Sequence, residues 1–145
     1  KDTYPSHADH YGPSLAQLID EGHATTGMRA ARGHQLRVLF SSALSTMFGD
    51  VDCMLCPTIP KLIPNLAKMT DYGSDPKVLH AIMRFTAPFN FSGNPTITLP
   101  SGIDTAGMPL SMQIVGPHLG ESSIIQVADA YQRVTSWHTR HPRIG

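Results

Sequence analysis

Two neighbouring stretches of this chain decide its fold. Residues 85–100 read FTAPFNFSGNPTITLP, and residues 107–116 read GMPLSMQIVG. Their apolar and β-branched parts predict two strands, Thr96–Leu99 and Leu110–Val115, because such residues fit a pleated, half-buried surface. The nine-residue connection Ser101–Pro109 suits a hairpin with an irregular loop, so we expect the two strands to be antiparallel neighbours.

The rest of the chain reads as helices packed against this sheet. Ser14 and Gln17 form a capping-box pattern at the start of a first helix, and Gly49-Asp50 ends a second. A long aperiodic loop, Ile59–Ser74, follows a short buried strand. The predicted elements are the strand Val51–Cys56 and helices over about 28–48, 75–85 and 121–135. The buried face of the last helix is predicted to consist of Ile124, Ile125, Val127, Ala128, Tyr131 and Val134. The pattern predicts an α/β fold without an internal linker.

The composition excludes several classes of protein. Of the 145 residues, 41% are hydrophobic, which is enough for a buried core. Eleven basic and eleven acidic residues give a formal net charge of zero, which argues against nucleic acid or an anionic membrane surface as a partner. The apolar runs are far too short to span a bilayer. The polar segment Lys1–Tyr11 lacks the apolar centre of a signal peptide.

Cysteine and histidine spacings suggest redox or metal sites, but their context argues against both. Cys53-x-x-Cys56 lies in an apolar run of strand type, where residues three apart point to opposite faces. Ordinary buried thiols in a reducing compartment are the better interpretation. The pairs His7-x-x-His10 and His138-x-x-His141 lie in polar terminal segments without an evident third ligand. We therefore expect surface histidines, no metal site, no cofactor and a cytoplasmic protein.

Taken together, the motifs resemble the C-terminal part of the amidase signature family of serine hydrolases. The resemblance covers residues 50–135. It begins with Asp52–Thr58, which is similar to the Asp-x-x-x-x-Pro-Thr strand end of the family, and continues in order through the 85–100 and 107–116 stretches. It ends with Glu121–Ile125, which resembles the closing helix of the family. It implies the C-terminal part of the family's mixed β-sheet core covered by helices, incomplete on its own. Residues 1–145 would form the C-terminal portion of one amidase-signature domain.

The resemblance assigns no catalytic residue to this chain. The family's Ser, cis-Ser, Lys triad depends on a Gly/Ser-rich loop, and this sequence has none. Ser41-Ser42 lies in a helical pattern, and Ser122-Ser123 starts another helix without flanking glycines. Lys1-Asp2 copies a family dipeptide without the strand that should precede it, so its context does not support a catalytic lysine. The triad is expected in an N-terminal part, which would be this chain's main partner.

The resemblance also implies which residues line the substrate channel. Its wall would come from His80, Met83, Thr86 and Ala87 on the helix that ends in the Phe-Thr motif, and from the loop after Pro57-Thr58, beginning at Ile59. Met83 and Ala87, four apart, should share one helix face. By this resemblance, Met83 stands where the amidotransferase branch of the family has an aspartate that binds the amino group of the substrate. A thioether there would leave a charged amine uncompensated, so an apolar acyl group is expected instead.

Other residues of the same region read as structural, and other functions stay open. Asn90, Gly93 and Pro95 suit a turn, and the amide of Gln113 must find partners in the interior. The favoured function is the C-terminal segment of a hydrolase that cleaves small amides, carbamates or esters, with a homodimer expected for the complete enzyme. The first alternative is a non-catalytic binding or scaffolding subunit. The second, less favoured because of Met83, is the amidotransferase component that acts with aminoacyl-tRNA.

The missing triad and partial sheet predict the behaviour of the 145-residue chain by itself. Produced alone, it should show no amidase activity and should associate, because unpaired strand edges and an uncovered sheet face favour pairing with other chains. Light scattering and a p-nitroanilide assay check this. A stable monomer that turns the anilide over at an enzyme-like rate is the contrary result.

Overall fold

The computed structural model describes residues 3–60 and 76–142. Its helices and strands are α1 Pro13–His23, α2 Gly27–Met47, β1 Met54–Pro57, α3 Pro76–Met83, α4 Ala87–Ser92, β2 Thr96–Ile103, β3 Pro109–Val115 and α5 Glu121–Val134. Short 3-10 turns lie at Ala8–His10 and Trp137–Thr139. Lys1-Asp2 and most of the predicted Ile59–Ser74 loop lie outside the described residues. No helix in the described part is long and apolar enough to cross a membrane.

The sheet has three antiparallel strands in the order β1-β3-β2. Val115 pairs with Met54 on one side and with Thr96 on the other, which confirms that β2 and β3 are antiparallel neighbours. β2 and β3 are longer than predicted because the turn between them is tight, whereas β1 begins at Met54 rather than at the predicted Val51 and is shorter. The Asp104 carboxylate accepts hydrogen bonds from the backbone N–H groups of Ala106 and Met108, at 2.8 Å each, and closes the turn.

The core forms where one face of the sheet meets α5. Leu99 and Ile114 from β2 and β3 pack with Ile124 and Ala128 of the helix, and Tyr131 packs against them from the edge. Three of the six positions predicted for the buried face, Ile125, Val127 and Val134, are exposed instead. The spacing 124, 128, 131 follows one helical stripe, and among the six predicted positions it is this stripe that packs in the core cluster.

Glycine at position 116 lets α5 approach the end of β3. A Cβ on Gly116 would stand 2.7 Å from the Cγ2 atom of Ile124, closer than real Cβ contacts come. The Gly116 carbonyl accepts a 2.8 Å hydrogen bond from the buried Asn94 amide, and its N–H donates to Pro95 at 3.0 Å. The predicted strand end is thus fixed by backbone contacts that a side chain would obstruct.

The Phe-Thr region forms two helices, whereas the sequence predicted one helix to about Phe85 followed by a turn. The first helix, α3, ends at Met83, and α4 begins at Ala87 with Pro88 in its first turn. Proline favours the first turn of a helix because its missing N–H would have no partner there. As predicted, Gly93 takes a special conformation: its φ of 83° ends α4 in a left-handed cap.

The predicted capping box at Ser14 is wrong. The first helix begins at Pro13, with Gly12 at its N-cap and no side-chain hydrogen bond there. Proline at the first helical position already fixes the backbone angle that starts a helix, so Ser14 lies inside the first turn. The second helix does have a side-chain cap, since the Thr26 hydroxyl accepts a 3.3 Å hydrogen bond from the Arg29 N–H.

The close approach at Gly116 predicts opposite effects for two glycine-to-alanine changes. Gly116→Ala should lower the free energy of unfolding by about 1–3 kcal/mol, because the new methyl group overpacks against Ile124. Gly33→Ala, in the middle of α2 where nothing lies within 4 Å of the new Cβ, should raise it by about 0.5–1 kcal/mol. Urea unfolding of both variants checks this, and a shift of the same sign in both would contradict the packing described.

Candidate functional site: an apolar groove beside the Phe-Thr motif

An open groove of about 830 Å³ runs between the long helix α2 and the pair α3 and α4. Its lining is mostly apolar, with His80 and Arg84 as the polar members. The lining residues are Leu18, Leu36, Phe40, His80, Met83, Arg84, Ala87, Pro88 and Phe91. No carboxylate is among these described residues. The groove has the size and the apolar character expected of a small-molecule site.

Two contacts between α2 and α4 set the shape of this groove. The hydroxyl of Ser41 on α2 donates a 3.4 Å hydrogen bond to the carbonyl of Ser92 at the end of α4. The rings of Phe40 and Phe91 lie 6.3 Å apart between their centroids, tilted by 38°, a separation typical of interacting aromatic pairs. Ser41 therefore makes a contact that positions α2 against α4.

Three of the five residues predicted to bind substrate lie together in the groove. His80 and Met83 contribute from α3, and Ala87 contributes from the start of α4. The prediction that Met83 and Ala87 share one helix face is wrong, because the helix ends at Met83 and restarts at Ala87. Met83 is 40% exposed and packs in no core cluster among the described residues, so its side chain is available to a ligand.

The other two predicted residues, Thr86 and Ile59, are not among those that line the groove. Thr86 holds the link between the helices. Its N–H donates to the Met83 carbonyl at 3.1 Å, and its own carbonyl accepts from the N–H groups of Phe89 and Asn90. Ile59 is half-buried just beyond β1, where the neighbouring Thr58 N–H bonds to Ser111 of β3 at 3.3 Å. Thr86 therefore acts on the shape of the groove through the backbone.

The groove also contains residues that sequence reasoning did not assign to it. Leu36 and Phe40 lie four apart on α2, and their helical spacing is visible in the sequence. Such spacing predicts residues buried in a core, however, and not residues that line a groove. Phe91 follows the Phe-Thr motif, and a prediction of the short helix α4 would have located it. Leu18 comes from α1, far away in the sequence. No sequence signal points to it or to Arg84.

Gln113 joins the sheet to the helical wall of the groove. Its side chain is 2% exposed, and its amide N–H group donates to the carbonyl oxygens of Phe85, between α3 and α4, and of Pro57, the latter at 3.5 Å. This confirms the prediction that the amide finds partners in the interior. One side chain of the central strand therefore holds both the end of β1 and the link between the two groove helices.

The cysteines are free, half-buried thiols. Burial raises the pKa of the Cys56 thiol, and a hydrogen bond with Gln113 offsets part of that increase. Because a raised pKa keeps the thiol protonated at neutral pH, Cys56 is a poor nucleophile and a poor metal ligand. Its surroundings match those of a structural cysteine.

One group of potential metal ligands occurs among residues 3–60 and 76–142. The ligand atoms of His7, Asp9 and His10 lie within 4.8 Å of one another, so a third donor does stand beside the histidine pair, contrary to the sequence interpretation. All three side chains are exposed, and the two imidazole rings stack with centroids 5.2 Å apart. The exposure agrees with surface histidines, since protein metal sites are normally held by a surrounding shell of hydrogen bonds.

Comparison with known proteins assigns the family. The family model described as Amidase matches residues 1–125. The chain belongs to the amidase signature family. The AmiD protein of Mycobacterium tuberculosis (strain ATCC 25618 / H37Rv), which carries a putative-amidase name, is 38% identical over 143 residues, covering 99% of this chain and 30% of AmiD. A glutamyl-tRNA(Gln) amidotransferase component of Picosynechococcus sp. is 33% identical over 113 residues, covering 78% of this chain and 23% of that protein.

A solved amidase-signature structure shares the fold. The structure of 6-aminohexanoate cyclic dimer hydrolase complexed with substrate matches with a TM-score of 0.79 and 23% identity, over 93% of this chain and 30% of that chain. This likeness confirms the predicted fold class. The chain spans about 30% of the length of AmiD and of this hydrolase.

The position of Gln113 predicts a large penalty for removing its amide. Gln113→Leu leaves the carbonyls of Phe85 and Pro57 without their buried donor, so the free energy of unfolding should fall by about 1–3 kcal/mol. Gln126→Leu, on the exposed side of α5, is the matched control and should change it by less than about 0.5 kcal/mol. Equal urea midpoints for the two variants would contradict the bridging role of Gln113.

Proposed function

We propose that this chain supplies the acyl-group wall of the substrate channel in an amide-hydrolysing enzyme. The observation that carries the proposal is the groove itself, in which His80, Met83 and Ala87 meet the apolar side chains Leu36 and Phe40 of α2. The names of the amidase relatives support the reaction class. The family's Ser, cis-Ser, Lys triad would act from another part of the complete polypeptide, by which we mean this chain joined to its catalytic part.

The proposed contribution of this chain to catalysis is binding and orientation. In the family's chemistry a serine attacks the amide carbonyl and amide donors stabilise the oxyanion that forms. An apolar acyl group held in the groove would present its carbonyl to that serine in a fixed position, which lowers the entropic part of the barrier. Each methylene buried against Met83, Phe40 and Leu36 would contribute about 0.8 kcal/mol to binding.

The amidotransferase alternative is disfavoured by the same groove. A substrate amino group carries a positive charge, and it would need a carboxylate or several hydrogen-bond acceptors in place of lost water. Among the described residues, the lining offers a thioether at Met83 and no carboxylate, while the permanent charge that they contribute, on Arg84, is positive. An apolar acyl group fits this lining, and a cationic amino acid does not.

The proposal predicts a change of specificity when Met83 becomes aspartate. In the complete polypeptide, Met83→Asp should weaken the transition-state binding of a neutral aryl amide by about 1–3 kcal/mol, because an apolar group would then face a carboxylate or the cost of protonating it. The amide of a cationic amino acid should lose less, or gain. The measurement is kcat/KM for both substrates in the wild type and in the variant.

Met28→Asp is the control for this experiment. Met28 is 85% exposed near the start of α2 and lies outside the groove, so the same substitution there should leave both kcat/KM values within about twofold of the wild type, as is usual for exposed positions. If Met83→Asp lowers kcat/KM equally for the neutral and the cationic amide, the assignment of Met83 to the acyl site is wrong.

A further inference from the structure

Arg84 places a permanent positive charge in a groove that is otherwise almost apolar. It directly follows the last residue of α3, and one helical turn before it stands His80, the other polar group of the lining. A guanidinium stays protonated at all physiological pH values and presents donors in a planar fork that matches a carboxylate. The Arg84 side chain therefore has a fixed preference for an anionic ligand group.

No protein carboxylate satisfies this preference in the described residues. The ion pairs there join His10 to Asp9 and Arg133 to Asp129, and none of the described residues that line the groove carries a carboxylate. In the described part of the chain, Arg84 thus faces an apolar surface with its charge unpaired. A ligand that combines an apolar body with an anionic group would complement both features at once.

A simpler role for Arg84 is to stabilise the end of its helix. A cation just beyond the C-terminus of α3 interacts favourably with the helix dipole. This role predicts an effect of Arg84 on stability alone. It predicts no difference between an anionic ligand and its neutral counterpart, so the two roles can be separated by experiment.

We propose that the groove selects acyl groups that join an apolar chain to a carboxylate, and that Arg84 binds this carboxylate. The inference rests on the proposed function of the groove and names its substrate class, which is the amides of dicarboxylic acids with one free carboxyl group. Met83 and Phe40 contact the chain of the acyl group, and His80 can donate a second hydrogen bond to its carboxylate. Arg84 is then a specificity-determining residue.

Equilibrium binding tests the inference without requiring turnover. The probes are dansyl-labelled undecanoic acid and its methyl ester, which share the apolar chain and differ in charge, measured by fluorescence on the complete polypeptide with its nucleophilic serine replaced by alanine, so that the ester is not hydrolysed. The wild type should bind the acid about fivefold more tightly than the ester, the upper range for an exposed ion pair. The Arg84→Gln variant should bind the two probes equally, and its affinity for the ester should equal that of the wild type.

Arg32→Gln is the matched control, because it removes the same charge from an exposed site on α2 outside the groove. It should keep the wild-type preference for the acid. Should Arg84→Gln fail to fold, the wild type itself gives the answer: raising the salt concentration should weaken binding of the acid and leave the ester unchanged or tighter. Equal wild-type affinity for both probes, or a preference that survives Arg84→Gln, would overturn the inference.

The result can be separated from the test of the amidase activity. If the acid preference depends on Arg84 but Met83→Asp changes no specificity in turnover, the proposed assignment of Met83 to the acyl wall is wrong and the anion site stands. If the specificity in turnover changes as expected while both probes bind the wild type equally, the acyl wall stands and the anion site is wrong.

Discussion

A buried amide on the central strand organises this part of the fold. The side chain of Gln113 leaves β3 and donates to Phe85 between the groove helices and to Pro57 at the end of β1. Both acceptors are backbone carbonyls, and the buried amide that donates to them would be costly to leave without partners. The sheet therefore fixes the link from which α3 and α4 diverge, and these helices carry one wall of the groove.

The opposite wall depends on α2, which has little packing of its own. Leu36, Val38 and Leu39 are exposed along this helix, and its contacts with α4 are the Ser41 hydrogen bond and the Phe40–Phe91 ring pair. Exposed apolar side chains at such density mark a surface that binds something. In our account the groove side of α2 contacts the acyl group of the substrate.

The sequence was sufficient to predict the parts of the fold that local patterning controls. β-branched residues and turn chemistry were enough to predict β2, β3 (which carries Gln113), the antiparallel pairing of these two strands and the conformation of Gly93. The division of the Phe-Thr region into two helices did not, because a proline such as Pro88 is typical both of a turn and of the first turn of a new helix. The exposed positions of α5 were also mispredicted, since helical periodicity does not state how wide the sheet beneath a helix is.

The same distinction applies to the candidate site. His80, Met83 and Ala87 could be proposed from the resemblance of the Phe-Thr region to the amidase signature family, and they do line one groove. Leu18 and Arg84 could not, because only the tertiary fold brings Leu18 of α1 to this groove, and an arginine after a helix resembles an ordinary C-terminal charge. Thr86 belongs to the motif, but its hydrogen bonds connect the backbone of the two helices rather than reach the groove.

The central claim is that the groove between α2 and the pair α3 and α4 holds the acyl group. The most direct measurement is a crystal structure of the complete polypeptide with a non-hydrolysable apolar amide analogue. The account predicts acyl carbon atoms in contact with Met83, Ala87 and Phe40, within about 4.5 Å. A groove filled by another segment of the polypeptide, with the analogue bound elsewhere, would contradict it.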